Sequence, residues 1–417
     1  MVINYEKMSP RHYFIVENCP IEFDGKFKQR EDYTFEEVFT LDHLFESMEL
    51  CAQGKMWKDS TITYLYDSHV NIYNLYDKLH NGKFYWSDFR HYIISERGKI
   101  RKLCTIPFED RIVQKTFNLF FLLPCIRPRL IFDNMASLKD KGPKLAKDRT
   151  IEFMTHMYNK YGLDYWIYKF DIKQYFDSMF HPYIVYIIRQ FTTDERLLYL
   201  LTHMLNKFAY DSFVHNGWHV PAGVGLGGEV PQTIGVLYLN EMDHIIKEQL
   251  GIHAYVRYQD DFYLMHHDRH YLTYCLDVIV KHLDNIGLAL NRNKSNIIPA
   301  KNGFNFLKFR FFHNQYGTVL MNYNSKGITR TRKKFRKLHT LLEEGRIGFG
   351  DARNSVASSL GYIKGGVSPD LYASLFNLYR DEIEDPYSSI YVSEEMERLE
   401  QKNANMYQIL NGTIKMD

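Results

Sequence analysis

The sequence predicts an α+β protein. Three observations point there. Strand-like and helical runs alternate, but without the steady beat of βαβ units. Two short β-rich runs flank Tyr258-Gln259-Asp260-Asp261, the pattern of a hairpin with acids at its tip. Apolar residues make up 45% of the 417-residue chain, enough to fill more than one hydrophobic centre.

Residues 1–95 read as mixed helix and loop, rich in Tyr and without evident chemistry. Asp110 to Leu123 has helical length and an apolar face, ending near Pro124. Ser137 to Arg149 is Lys-rich and carries Gly142-Pro143, so a loop or a helix boundary is expected. Tyr165 to Asp171 suits a buried strand that delivers an acid at its end. Pro182 opens a helical run with apolar residues at Ile184, Val185, Ile187 and Ile188. Gly223 to Gly228 must be a loop where backbone approaches something closely, and a helix follows from Thr233 to Leu250. The hairpin strands are Ala254–Arg257 and Phe262–His266, followed by a helix from Tyr271 to Ile286. Strand-like pieces at Phe304–Phe312 and Gly317–Tyr323 precede basic and apolar helical segments, Arg330–Lys337, Ser355–Gly366 and Leu371–Leu378.

Net charge is only +2, but its distribution is uneven: Arg330 to Lys337 is strongly basic and the region Asp381–Glu400 is acidic. A basic stripe can grip a polyanion even when a distant acidic stretch cancels it in the sum. Aromatic residues reach 16%, which serves core packing first and base stacking second. Five cysteines (Cys19, Cys51, Cys104, Cys125, Cys275) show no CxxC pair, so neither a zinc site nor a disulfide framework is expected. The start lacks a signal-peptide pattern, and the longest apolar stretch, Leu119 to Ile126, is short and broken by Pro124. A cytoplasmic, reducing setting and no membrane partner are the expectation.

Asp171, Asp260 and Asp261 are the candidates for chemistry. Joining a nucleotide to a 3′-hydroxyl needs a deprotonated hydroxyl, an in-line phosphorus and a neutralised triphosphate. Two Mg²⁺ ions meet all three needs, with Mn²⁺ as an alternative, and such hard ions ask for carboxylate oxygens from neighbouring elements. A Tyr-x-Asp-Asp string is weak by itself, and aspartates also close turns for backbone reasons. The order of the surrounding motifs decides the matter.

Tyr258-Gln259-Asp260-Asp261-Phe262 resembles the catalytic hairpin of reverse transcriptases. Phe170 to His181, with Phe-Asp-Ile-Lys-Gln-Tyr-Phe-Asp at its start, resembles the first palm motif of the bacterial branch. Gly225 to Gln232, continuing through Leu237 to Asp243, resembles that family's glycine loop and following helix. Gly287-Leu288-Ala289-Leu290-Asn291 with Lys294 resembles the fourth palm motif, and Phe306-Leu307-Lys308-Phe309 the primer-grip hairpin. Ile106-Pro107, Asp110 to Gln114 and Ser137 through Gly142 resemble the fingers motifs. The resemblance spans about residues 95–370 in the family's order and is to the diversity-generating-retroelement and group II intron-like branch, phage-defence enzymes included.

The resemblance implies a right-hand polymerase: an N-terminal extension over 1–95, fingers and palm over 96–317 (antiparallel sheet plus helices), a helical thumb over 318–380 and an acidic tail over 381–417. It implies that Asp171 and Asp260 ligate metal with the Ile172 carbonyl, that Asp261 supports them, and that Lys294 lies near the leaving pyrophosphate. Arg101, Lys102, Phe176, Leu226, Gly227 and Gln232 fall where the family binds the nucleotide, and a ring at Phe176 would exclude a 2′-hydroxyl. Tyr258, Phe306, Lys308, Arg330, Arg332, Lys333 and Lys334 fall where it meets primer and template. Phe176 also reads as a core ring, Arg101 and Lys102 as solvated surface residues, Lys294 as a solvated lysine, and Arg330 to Lys337 as a solvated basic helix.

The chain departs from the retroviral and group II intron pattern at Leu226, where an apolar residue stands instead of Gln, as in diversity-generating-retroelement and several phage-defence enzymes, and at Pro231, where Ser is usual. The implied partners are dNTPs, a DNA primer or product, and a template RNA, foremost a dedicated non-coding RNA used in antiphage defence. An accessory protein or a second copy of the chain is left open. So are a retroelement diversification role, template-independent or protein-primed synthesis, and an inactive RNA-binding scaffold.

Overall fold

The computed structural model describes residues 32–384, apart from 57, 97–98, 209, 216–217 and 226. They fall into two compact units, divided between Pro299 and Ala300. The acidic tail expected over 381–417 and the candidate residue Leu226 lie largely or wholly outside the described residues.

The first unit begins with helices α1 (Phe35–Val38), α2 (Leu41–Ala52), α3 (Asp59–Tyr66) and α4 (Ser68–His80). Thr34 and Glu37 form a reciprocal capping box at the start of α1, which satisfies two otherwise orphaned donors. An antiparallel hairpin follows, β1 (Arg90–Glu96) and β2 (Lys99–Thr105). Residues 1–95 had read as helix and loop only. The adjacent Ile93-Ile94 spoils the two-residue alternation that marks a strand.

Helix α5 (Phe108–Phe117) runs through a π turn (Asn118–Leu122) into α6 (Leu123–Ile126). The expectation that Pro124 would end this helix is therefore corrected. Leu123 N–H donates to Asn118 O, five residues back, and this one-residue slip lets the helix pass a residue that has no donor. Helix α7 (Pro143–Tyr161) starts on its proline, after Gly142 at φ 142°.

Strand β3 (Trp166–Asp171) leads to α8 (His181–Ile188), with Pro182 in its first turn, and then to α9 (Glu195–Phe208). A second unanticipated hairpin, β4 (Tyr210–His215) and β5 (Trp218–Ala222), precedes the glycine loop. Helix α10 (Glu229–Leu237) begins four residues before the expected start, because Gly228 takes the extended cap conformation and Pro231 needs no donor in a first turn. It ends early too, and α11 (Asn240–His244) continues through a π turn. The break sits beside Tyr238, whose buried hydroxyl donates to Ile286 O at 2.6 Å.

Strands β6 (Tyr255–Tyr258) and β7 (Asp261–His266), helix α12 (Arg269–Asn285) and β8 (Asn296–Pro299) complete the unit. Its sheet has the order β6-β7-β3-β8, antiparallel throughout. Phe170 and Phe262, paired across β3 and β7, stack with ring centroids 4.6 Å apart and anchor the register.

The second unit carries a three-stranded antiparallel sheet, β9 (Phe304–Phe306), β10 (Phe309–His313) and β11 (Val319–Tyr323), with β10 central. The strand-like run 304–312 is divided by a two-residue turn at Leu307 and Lys308, with φ of 49° and 69°, at the place where the motif resemblance implies a hairpin. Both angles have the sign of a type I′ hairpin turn, which usually announces itself through Asn or Gly. Helices α13 (Ser325–Glu343), α14 (Phe349–Ile363) and α15 (Pro369–Tyr379) pack around Phe335, Val356, Leu360 and Leu375. No described helix is long and apolar enough to cross a membrane.

Asp110, in the first turn of α5, is 1% exposed and accepts the Ser87 N–H at 3.0 Å. Burial pushes its carboxyl up from the ordinary 3.8 to about 6. The folded chain therefore keeps this proton to a higher pH than the unfolded chain, so stability falls as pH rises between those two values and levels off above. Asp110→Asn keeps an acceptor for Ser87 and should flatten that slope, read as urea midpoints from about pH 4 to about pH 7. An unchanged slope rejects the assignment.

Candidate active site

Residue alternation along β3 puts Lys169 and Asp171 on one face of the sheet. The antiparallel register sets Asp171 directly opposite Asp261. Their side chains are 33% and 31% exposed, so both acids border solvent at one sheet end. Lys169 Nζ lies 3.2 Å from Asp261 Oδ1, diagonally across the strands. Asp171 Oδ2 accepts from Asn291 Nδ2 at 3.0 Å and from Lys294 Nζ at 3.3 Å. The Asn291 N–H donates to Asp171 O at 2.7 Å, the Asp171 N–H donates to Ser295 Oγ at 3.2 Å, and Ile172 bridges to Leu290. The stretch 289–295 thus seals the end of β3.

Tyr258 pairs with Asp261, which leaves Gln259 and Asp260 as the two turn residues. Gln259 has φ 56°, a conformation that a non-glycine residue holds only under constraint. Its side-chain Nε2 donates to Ser137 Oγ at 2.9 Å and to Gln232 O at 3.4 Å. A Cβ built on Gly235 would come within 2.9 Å of Gln259 Oε1 and 3.0 Å of the Phe176 ring. Gly235, Phe176 and Gln259 therefore meet at one tightly packed point. Tyr175 OH donates to Gly235 O at 2.5 Å, and the Val224 N–H donates to Phe176 O at 3.0 Å, tying the glycine loop to the turn after β3.

Gly227 has φ 137°, and a Cβ there would lie 2.2 Å from the Cys104 carbonyl oxygen of β2. Only glycine fits, on both counts. Arg101 and Lys102 stand on that same strand, opposite Ile94 and Ile93.

The structure thus brings Asp171, Ile172, Asp261 and Lys294 together, with Asp260 on the adjoining turn and Phe176 and Gln232 linked to it through Gln259. Tyr258 is half-buried in β6. In the second unit Phe306 is fully buried, so its ring belongs to the core rather than to a surface that nucleic acid touches. Lys308 sits in the turn with Nζ 5.0 Å from the Tyr362 ring centroid, and Leu307 O accepts from Tyr362 OH at 2.7 Å. On α13, Arg330 and Lys333 are exposed and Arg332 is half-buried. Lys334 Nζ donates to Ser355 O at 2.9 Å and Ser359 Oγ at 2.8 Å, so its charge serves helix packing.

Oxygen donors at Asp171, Asp260 and Asp261 suit a hard divalent cation, and each of the two paired acids already attracts an ammonium group. Among the described residues, however, no three His, Cys, Asp or Glu side chains are gathered into a ready-made cage. The fit is one of donor type and placement. Sequence reading quoted Gln259 and Asn291 within motifs without giving them a role, and missed Lys169, Ser295 and Arg257 as neighbours of these acids. Lys169 was discoverable from its two-residue offset to Asp171; Ser295 and Arg257 depend on long-range register.

The family model for reverse transcriptase (RNA-dependent DNA polymerase) matches residues 93–311, more than half of the chain. The chain belongs to the reverse transcriptase family. This reverse transcriptase domain also has similar solved structures. One is apo telomerase from Candida tropicalis truncated from its C-terminal domain, with TM-score 0.41, 13% identity, 56% of this chain and 55% of that chain covered. Another is telomerase from Candida albicans with a TWJ fragment of telomeric RNA, with TM-score 0.46, 14% identity, 80% of this chain and 61% of that chain covered. The chain thus spans 55% and 61% of the length of those telomerase chains. Among curated proteins no sequence match is found.

Gly227→Ala should lower kcat/KM for nucleotide addition by about ten-fold or more, because a displaced loop misplaces the reacting groups. Primer-extension kinetics on the folded variant measure this; wild-type kinetics would show that the close approach to Cys104 has no bearing on turnover.

Proposed function

We propose that the protein is an RNA-directed DNA polymerase that copies a dedicated non-coding RNA into cDNA and serves antiphage defence. One observation carries the polymerase reading: Asp171 faces Asp261 across β3 and β7 while Asp260 occupies the strained turn beside them. The family match over residues 93–311 supports it. The apolar residue at position 226 resembles diversity-generating-retroelement and phage-defence enzymes alike, and so supports that branch without choosing between the two roles. We assign fingers and palm to 96–317 and thumb to 318–380. We place the chain in a reducing, cytoplasmic setting, where the buried described cysteines stay as thiols.

Asp171, Asp260, Asp261 and the Ile172 carbonyl would hold the divalent cations, Mg²⁺ by preference. Bound there, such ions activate the primer 3′-hydroxyl and neutralise the triphosphate. The chain's own groups do the rest. Asn291 and Ser295 fix the Asp171 backbone and carboxylate, so this acid does not reorganise during turnover. Lys294, on an exposed ammonium 3.3 Å from Asp171, is placed to swing toward the departing pyrophosphate. Phe176, whose ring packs against Gly235, would exclude a ribose 2′-hydroxyl by volume. Arg101 and Lys102 supply charge for the triphosphate from β2, and Arg330, Arg332, Lys333 and Lys308 supply it for the nucleic-acid backbone.

Asp260→Ala combined with Asp261→Ala should abolish cDNA synthesis while leaving the melting temperature near wild type, since relieving like charges does not unfold a sheet. Nucleic acid purified with the wild-type chain and sequenced should contain DNA complementary to one co-purified RNA, and the double variant should retain the RNA alone. DNA of equal amount in both samples rejects the reading. Phe176→Ala should raise ribonucleotide incorporation by roughly ten-fold or more relative to deoxynucleotide, as removal of a steric exclusion does. Competition assays with dNTP and NTP pairs measure that ratio, and an unchanged ratio refutes the steric role.

A further inference from the structure

Arg257 lies in β6, two residues before the turn, with its side chain 0% exposed. A buried guanidinium is tolerated only when its donors are paired, so its partners reveal what it holds. Nε and Nη2 donate to the two oxygens of Asp243 at 2.8 and 2.5 Å. Nη2 also donates to Val236 O, at the end of α10, at 2.8 Å. Nη1 reaches forward to the Gln259 carbonyl at 3.3 Å. Asp243, itself 0% exposed, accepts from Tyr255 OH at 2.6 Å. On the main chain, the Arg257 N–H donates to Asp133 O at 3.1 Å and the Met135 N–H donates to Arg257 O at 2.9 Å.

The Gln259 carbonyl is part of the peptide unit that joins Gln259 to Asp260. Fixing that oxygen fixes the plane from which the Asp260 side chain departs. The same residue, Gln259, holds φ 56°, a conformation that persists only where surroundings over-determine it. We propose that Arg257, locked in place by Asp243 and Tyr255, is a positioning residue that clamps the Gln259–Asp260 peptide and so sets the direction of Asp260. A plain core contact would not need this chemistry, because well-packed apolar residues serve stability as well as a buried ion pair or better. The clamp touches no substrate. It acts through the turn, and it rests on the proposed polymerase role of Asp260.

The test uses the full chain with a homopolymeric RNA template, a DNA primer, one dNTP and Mg²⁺. In Arg257→Met combined with Asp243→Leu, both charges leave together and no buried ion is stranded. Tyr255→Phe removes only the hydroxyl that braces Asp243, and keeps the test open should the double variant not fold. For the folded double variant, kcat should fall about a hundred-fold with KM for the dNTP within about three-fold, the mark of a misplaced reacting group. Tyr255→Phe should lose a smaller share of kcat with an unchanged melting temperature. In metal-free protein, amide exchange at residues 259–261 should speed up in both variants while that of β3 does not. Folded variants with wild-type kcat, or a kcat loss that only tracks the folded fraction, overturn the clamp. A wild-type chain that extends no primer rejects the polymerase reading and the clamp with it, whereas an active wild type beside fully active variants rejects the clamp alone.

Discussion

Two carboxylates placed face to face across neighbouring strands repel each other, and the arrangement around Asp171 and Asp261 is organised by that repulsion. Left in an apolar sheet, the pair would push the strand ends apart. Here Lys169 lies against Asp261, Lys294 lies against Asp171, and Asn291 adds an uncharged donor. The stacked Phe170 and Phe262 rings, one residue further into the sheet, keep the strands in step. The unfavourable pair thus sits at the partly exposed end of two strands whose middle residues are buried.

The polar network beneath the turn has a different character. Asp243, Tyr255 and Arg257 are wholly buried, and each hydrogen bond among them works in a low-dielectric setting where geometry is sharply defined. Surface lysines around the acids can shift as ligands arrive. The interior network cannot, since any displaced member would leave a charge without a partner. The centre therefore combines adjustable charges on the outside with a fixed frame underneath.

Much of this was legible in the sequence, and the parts that were not share a cause. Strand β3, the β6–β7 hairpin and helix α12 carry local patterns: a period of two, a polar tip, a Gly just past the helix end. The passage of the helix through Pro124 was hidden because its slip to a five-residue hydrogen bond leaves no compositional trace. The turn at Leu307 and Lys308 was legible only through motif resemblance, because two ordinary side chains occupy angles that normally call for Asn or Gly. At the candidate site, the three aspartates could be named from motif order. Of their partners, only Asn291 and Lys294 stood in a motif that the sequence offered. Arg257 reads as one polar residue in a strand, and only the three-dimensional meeting with Asp243 and Gln259 reveals that it points inward.

The contact between Gly227 and the Cys104 carbonyl has a mechanical consequence. Two main chains already touch there, without side chains that might compress. At this point the β1–β2 hairpin cannot press further in against the glycine loop. That makes the contact an end-stop, a fixed limit to inward travel set by bare backbone.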